Sequence, residues 1–103
     1  MLLAACATTD SNPLAEAPVG EVAPPDIAPA CELAARRCAR CHSLDRITRA
    51  RITEPDDWRR YVHKMRLMPA SGIPPAEEPS IARCLVFRVA GNAGLARLGR
   101  SEP

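Results

Sequence analysis

The chain has 103 residues, 14 Lys and Arg against 12 Asp and Glu, a formal charge of +2, and only Trp58, Tyr61 and Phe87 as aromatics. That length allows one small domain, and no apolar run reaches the 18 residues of a transmembrane helix. A domain so small needs a disulfide, metal or cofactor to supplement its core, and arginines without interleaved aromatics argue against nucleic-acid binding.

Charge is placed unevenly. Residues 1 to 30 hold Asp10, Glu16, Glu21 and Asp26 with no Lys or Arg, a stretch of −4. All 14 basic residues follow, against 8 acidic ones, so the rest of the chain carries +6. Such a surface favours acidic partners, through steering more than through contact energy.

The chain opens MLLAACATTD, and Leu3-Ala4-Ala5-Cys6 resembles the lipobox of bacterial lipoproteins, in which the cysteine is acylated. The resemblance implies lipidation at Cys6 and a membrane-anchored, periplasmic protein. Five residues before Cys6 are too few for the charged and apolar regions of a signal peptide, so the expected start site lies upstream of Met1. Residues 1–6 then read as the remnant of that signal.

Residues 7–30 place Pro13, Pro18, Pro24, Pro25 and Pro29 among alanines and small polar residues. This composition predicts an extended, disordered tether. Three helices are expected in the domain at 31–90. The first runs from about Pro29 to Cys41, with Cys31, Ala34, Cys38 and Cys41 recurring on one face. The second opens at Thr53-Glu54-Pro55-Asp56-Asp57, buries Trp58, Val62 and Met65, and ends before Pro69. The third follows Pro74-Pro75, tolerates Pro79 in its first turn, and buries Ile81, Cys84, Leu85 and Val89. Gly91-Asn92 is its expected stop, leaving 91–103 as a frayed tail. No segment alternates as a strand does. The expected class is all-α.

Cys38-Ala39-Arg40-Cys41-His42 is the motif that carries chemistry. A redox dithiol needs a βαβ context that is missing. Zinc needs four ligands, which Cys31, Cys38, Cys41 and Cys84 or His42 offer in principle. Neither explains a histidine directly after the second cysteine. Covalent haem does, because two thiols add to the two vinyl groups and the next residue sets an imidazole on the iron.

With this motif, and with Met68-Pro69-Ala70-Ser71-Gly72-Ile73 leading into an acidic helix start, residues 30–90 resemble class I cytochromes c. The resemblance implies a small fold of three main helices wrapped around one covalent haem c. Cys38 and Cys41 would form the thioethers, and His42 with Met68 the axial iron ligands. Met65 and His63 are the alternatives for the sixth position. Only 25 residues separate His42 from Met68, fewer than in most of the family, which implies an exposed haem edge.

The helices of that family cross near Cys31 and Cys84, which implies a disulfide between them. For Trp58 the family suggests an indole N–H to a haem propionate, with core packing the equal alternative. Arg46, Arg49 and Arg51 are expected as a solvated basic face, with propionate neutralisation as a second role. The implied function is that of a monomeric one-electron carrier outside the cytoplasm, not an enzyme, serving redox proteins with acidic docking surfaces. The alternative is a haem-based sensor of NO, CO or peroxide with a labile methionine.

Overall fold

Prolines and glycines divide the chain into α1 (Ile27–Cys38), α2 (Asp45–Thr48), α3 (Pro55–Leu67) and α4 (Glu78–Ser101), within residues 12–101, which the computed structural model describes. Two 3₁₀ turns, Pro13–Ala15 and Pro75–Glu77, are added, and no strand occurs among the described residues. The class is all-α. The lipobox at Leu3 to Cys6 lies outside the described residues.

The helix ends follow local chemistry. Pro55 opens α3 with Asp56 and Asp57 in the first turn and Lys64 and Arg66 in the last, in accord with the helix dipole. Pro69 forces Met68 into an extended conformation, so α3 stops at Leu67. Pro79 occupies the second position of α4, where its missing N–H costs no helical bond. Trp58, Val62, Ile81, Cys84 and Leu85 are fully buried, and Val89 and Met65 are half-buried. Val86 and Phe87 are buried as well, because α1 and α3 both pack on α4 and widen its buried stripe.

Three expectations are corrected. First, α1 ends at Cys38, so Cys41 and His42 stand on the turn beyond it and Cys41 is exposed. A four-residue helix, α2, follows unannounced and buries Ile47.

Second, residues 12 to 26 are no free tether. Leu14 is 0% exposed, in the core. Asn12 caps the first 3₁₀ turn through Leu14 N–H (2.9 Å) and donates to the Cys31 carbonyl (3.0 Å). Asp26 pairs with Arg83 through two bonds, of 2.6 and 3.0 Å. This strap lies along α1 and α4.

Third, residues 91–101 are no frayed tail. Gly91 does break the helix, at φ 65°, but the chain resumes helical form and buries Leu95 and Leu98. The restart is capped from the strap: the Glu21 carboxylate accepts from Asn92 N–H (3.2 Å) and Asn92 Nδ2 (2.8 Å). A Cβ at Gly91 would meet Glu21 Oε2 at 2.6 Å, so both backbone and space require glycine there.

Cys31 on α1 and Cys84 on α4 stand at disulfide distance, their Cα atoms 5.1 Å apart.

Three carboxylates tie elements together. The Arg83 guanidinium holds the Asp26 carboxyl below its usual range, and the Arg37 hydrogen bonds do the same for Glu77. Burial works to raise Glu78, but hydrogen bonds from Arg66 and His63 outweigh it and leave Glu78 lowered. Each group therefore binds fewer protons folded than unfolded. The stability they contribute is present above the ordinary carboxylate range and is lost as pH falls through the depressed values. Thermal unfolding followed at falling pH should show a plateau near neutrality and a decline setting in below about pH 4.5. A midpoint indifferent to acid would refute this role for the three pairs.

Candidate functional site

The end of α1 sets one wall of a cleft of about 420 Å³. Cys38, the last helical residue, is 3% exposed, and burial pushes its thiol up to about 11, with the neighbouring Cys41 adding to the rise. Cys41 and His42 line the same cleft from the following turn. His42 Nδ1 lies 2.9 Å from the Ser43 carbonyl oxygen. A carbonyl only accepts, so Nδ1 is the donor here, and in the neutral ring Nε2 is the nitrogen whose lone pair is open to a metal.

The opposite wall comes from α3 and the loop after it. Lys64 and Met65 lie three and four residues after Tyr61 on the helix, and Met68, Pro69, Ser71 and Ile73 continue the surface. Both candidate methionines therefore face the cleft. Met65 is half-buried, whereas Met68 is 57% exposed. Arg37 and Arg46 complete the lining, and Arg37 is held by Glu77 at 2.7 and 2.9 Å.

The methionine loop is a strained turn. Ser71 N–H donates to the Met68 carbonyl (3.1 Å), and Ala70 takes φ 61° at a position that favours glycine. Ser71 Oγ donates to the Arg66 carbonyl (2.7 Å) and accepts from Ile73 N–H (3.2 Å), which pins the loop to the end of α3. Gly72 follows at φ 72°, with Arg40 lying over it: a Cβ there would meet Arg40 Nη1 at 2.2 Å.

A left-handed alanine costs roughly 1–2 kcal/mol, and the added freedom of an unfolded glycine returns about half of that. Ala70→Gly should therefore raise unfolding stability by about 0.5–1 kcal/mol, read from denaturant midpoints. A loss of stability would mean the turn is not strained.

Several predicted site residues take other roles. Trp58 does not line the cleft. Its indole N–H donates to the Ile52 carbonyl (3.0 Å), and the ring meets Tyr61 edge-on, with centroids 5.4 Å apart. In place of the propionate contact it packs the core and backs Tyr61. His63 lies away from the cleft, its Nδ1 3.0 Å from a Glu78 oxygen. Of the three arginines after the motif, Arg46 lines the cleft, while Arg49 and Arg51 stay on the exposed face. Tyr61, Lys64 and Arg37 were missed. The signal for two of them was present in the helical spacing of Tyr61, Lys64, Met65 and Met68, beside the more conspicuous Trp58 and Val62 face.

These residues suit a flat apolar macrocycle with acidic arms. Tyr61, Met65, Met68, Pro69 and Ile73 are apolar or aromatic, Arg37, Arg46 and Lys64 are cationic, and Cys38, Cys41 and His42 each contribute to the lining. The volume lies in the range of small-molecule and cofactor sites, about 300–1,000 Å³. A zinc site is poorly supplied, since Cys31 and Cys84 face each other in the core. No group of three or more His, Cys, Asp or Glu placed to hold a metal occurs among the described residues.

No family model, curated protein or solved structure matches the chain. Among the described residues no helix is long and apolar enough to cross a membrane.

Proposed function

We propose that the chain is a monohaem c-type cytochrome that carries single electrons between redox proteins outside the cytoplasm, anchored to a membrane through Cys6. The observation that supports this reading is the cleft shared by Cys38, Cys41, His42, Met65 and Met68. Cys38 and Cys41 would hold a haem through two thioethers, each thiol adding across one vinyl group. His42 offers Nε2 to the iron while Ser43 holds its Nδ1 proton. Met68 offers its thioether sulfur as the sixth ligand, with Met65 the alternative.

A bound haem supplies an iron that accepts and returns one electron, and His/Met ligation raises its potential. The chain's own part is to orient that group and dry its faces with Tyr61, Met65 and Ile73. Arg46 would offer positive charge to its acidic arms, while Arg37 is already held by Glu77. With the strap docked, residues 12–101 carry 14 basic against 10 acidic side chains, a net +4 that would draw acidic partners weakly and with salt sensitivity, as transient docking requires.

A second reading is a haem-based sensor of NO, CO or peroxide. The 57% exposure of Met68 on a strained turn favours it, since such a ligand is easily displaced. A spectral shift of the reduced protein under CO would support the sensor, and an unchanged spectrum the carrier.

The test is an absorption spectrum of the full chain matured in a periplasm with haem-attachment machinery. The expected result is a sharp reduced α-band and an oxidised near-infrared sulfur-to-iron band that survives Met65→Ala and disappears in Met68→Ala. Loss of that band in Met65→Ala alone would move the ligand to α3. A colourless protein would overturn the cytochrome reading.

A further inference from the structure

A second groove, larger than the cleft at about 850 Å³, lies between α3 and α4. Its floor is aliphatic, made by Leu67, Pro79, Ala82 and Leu98 with Gly99 beside them. Leu67 is 61% exposed there, on the last turn of α3. The rim is cationic: among the described residues, Arg59, Arg60, Lys64 and Arg83 stand around one carboxylate, Glu78.

Most of that rim charge is already answered. Arg59 pairs with Asp56 at 3.6 Å, Arg60 with Asp57 at 3.2 Å and Arg83 with Asp26 at 2.6 Å. Glu78 is shared by Arg66 and His63. Lys64 alone of the rim cations has no ion-pair partner among the described residues. Among the described residues the groove thus offers an aliphatic floor, lengthened by the methylene stems of its arginines, and one cation without an ion-pair partner at its edge, Lys64. A protein surface with many carboxylates would have to displace three existing pairs. One carboxylate on an alkyl chain needs only Lys64.

We propose that this groove binds a free fatty acid, its chain along Leu67, Ala82 and Leu98 and its carboxylate on the Lys64 ammonium. The volume is that of a small-molecule site, and charge and shape together select a singly charged, single-chain amphiphile. The site does not depend on electron transfer. It shares Lys64 with the cleft of Cys38 and His42, so the two sites adjoin along one wall.

The experiment is titration calorimetry of the matured full-length chain with sodium laurate kept below micelle formation, beside phosphatidylglycerol vesicles as a second probe. One saturable laurate site is expected. Lys64→Gln should weaken it about tenfold through the loss of a charge-assisted bond. Gly99→Trp should abolish it. A Cβ at Gly99 meets nothing within 4 Å, so bulk there enters the groove without a clash, and circular dichroism checks that the variant folds. No saturable heat, laurate binding undiminished in either variant, or binding to vesicles alone would each overturn the proposal. An absorption spectrum of the same sample reports on the haem separately, so failure of one reading is not mistaken for failure of the other.

Discussion

Replacing Cys31 and Cys84 together by alanine is expected to lower unfolding stability by about 4 kcal/mol in the chain-entropy model. The two residues are 53 apart in sequence and both essentially without solvent exposure, at 1% and 0%. A bond between them closes a loop holding the part of α1 after Cys31, the motif turn, α2, α3 and the methionine turn. The unfolded chain thereby loses conformations that the folded chain never had. For a domain of this size the total is small, on the order of 5–15 kcal/mol for native proteins generally. Losing 4 removes a large share, a fall of about 20 °C in midpoint at roughly 5 °C per kcal/mol. Both cysteines are changed at once so that neither partner is left with an unpaired thiol. Denaturant unfolding of the two full-length proteins in the same oxidising buffer measures the difference. A loss below about 1 kcal/mol would mean that the pair acts as two small packed side chains and not as a crosslink.

Much of this fold was legible because its signals are local. Pro55 with Asp56 and Asp57 fixes the start of α3, and Pro69 fixes its end through the residue before it. The stripe Ile81, Cys84, Leu85 follows from helical spacing alone. The motif at Cys38, Cys41 and His42 is equally local, and the three residues line one cleft. What could not be read is contributed by distant residues. Gly91-Asn92 is a sound stop signal, and the helix does break at Gly91. It restarts because Glu21, 71 residues earlier, caps Asn92, a partner no window of sequence contains. The Pro/Ala composition of residues 7–30 predicts disorder on average, yet one leucine with one asparagine is enough to dock a segment. Composition averages over the very residue that matters. Trp58 was divided between cofactor and core, and its hydrogen bond to Ile52, only six residues away, places it in the core.

That docked segment leads to the second large effect. Leu14→Ala is expected to cost about 3 kcal/mol, within the usual range of roughly 2–5 for a buried leucine. A disordered tether would lose nothing, since an exposed leucine contributes no buried contact, so the measurement separates the two descriptions of residues 12–26 without ambiguity. The Cys84 sulfur lies 3.4 Å from the Leu14 carbonyl oxygen, and Asn12 donates to the Cys31 carbonyl at 3.0 Å. The strap therefore covers the cysteine pair. Residues in contact do not contribute independently, and coupling of about 0.5–3 kcal/mol is usual between neighbours. Leu14→Ala should accordingly cost less in the Cys31→Ala, Cys84→Ala background than in the native one, by at least about 0.5 kcal/mol. Strict additivity across that double-mutant cycle would show the strap and the cysteine pair to be separate supports. A native-background loss under about 0.5 kcal/mol would return residues 12–26 to the tether that their composition suggests.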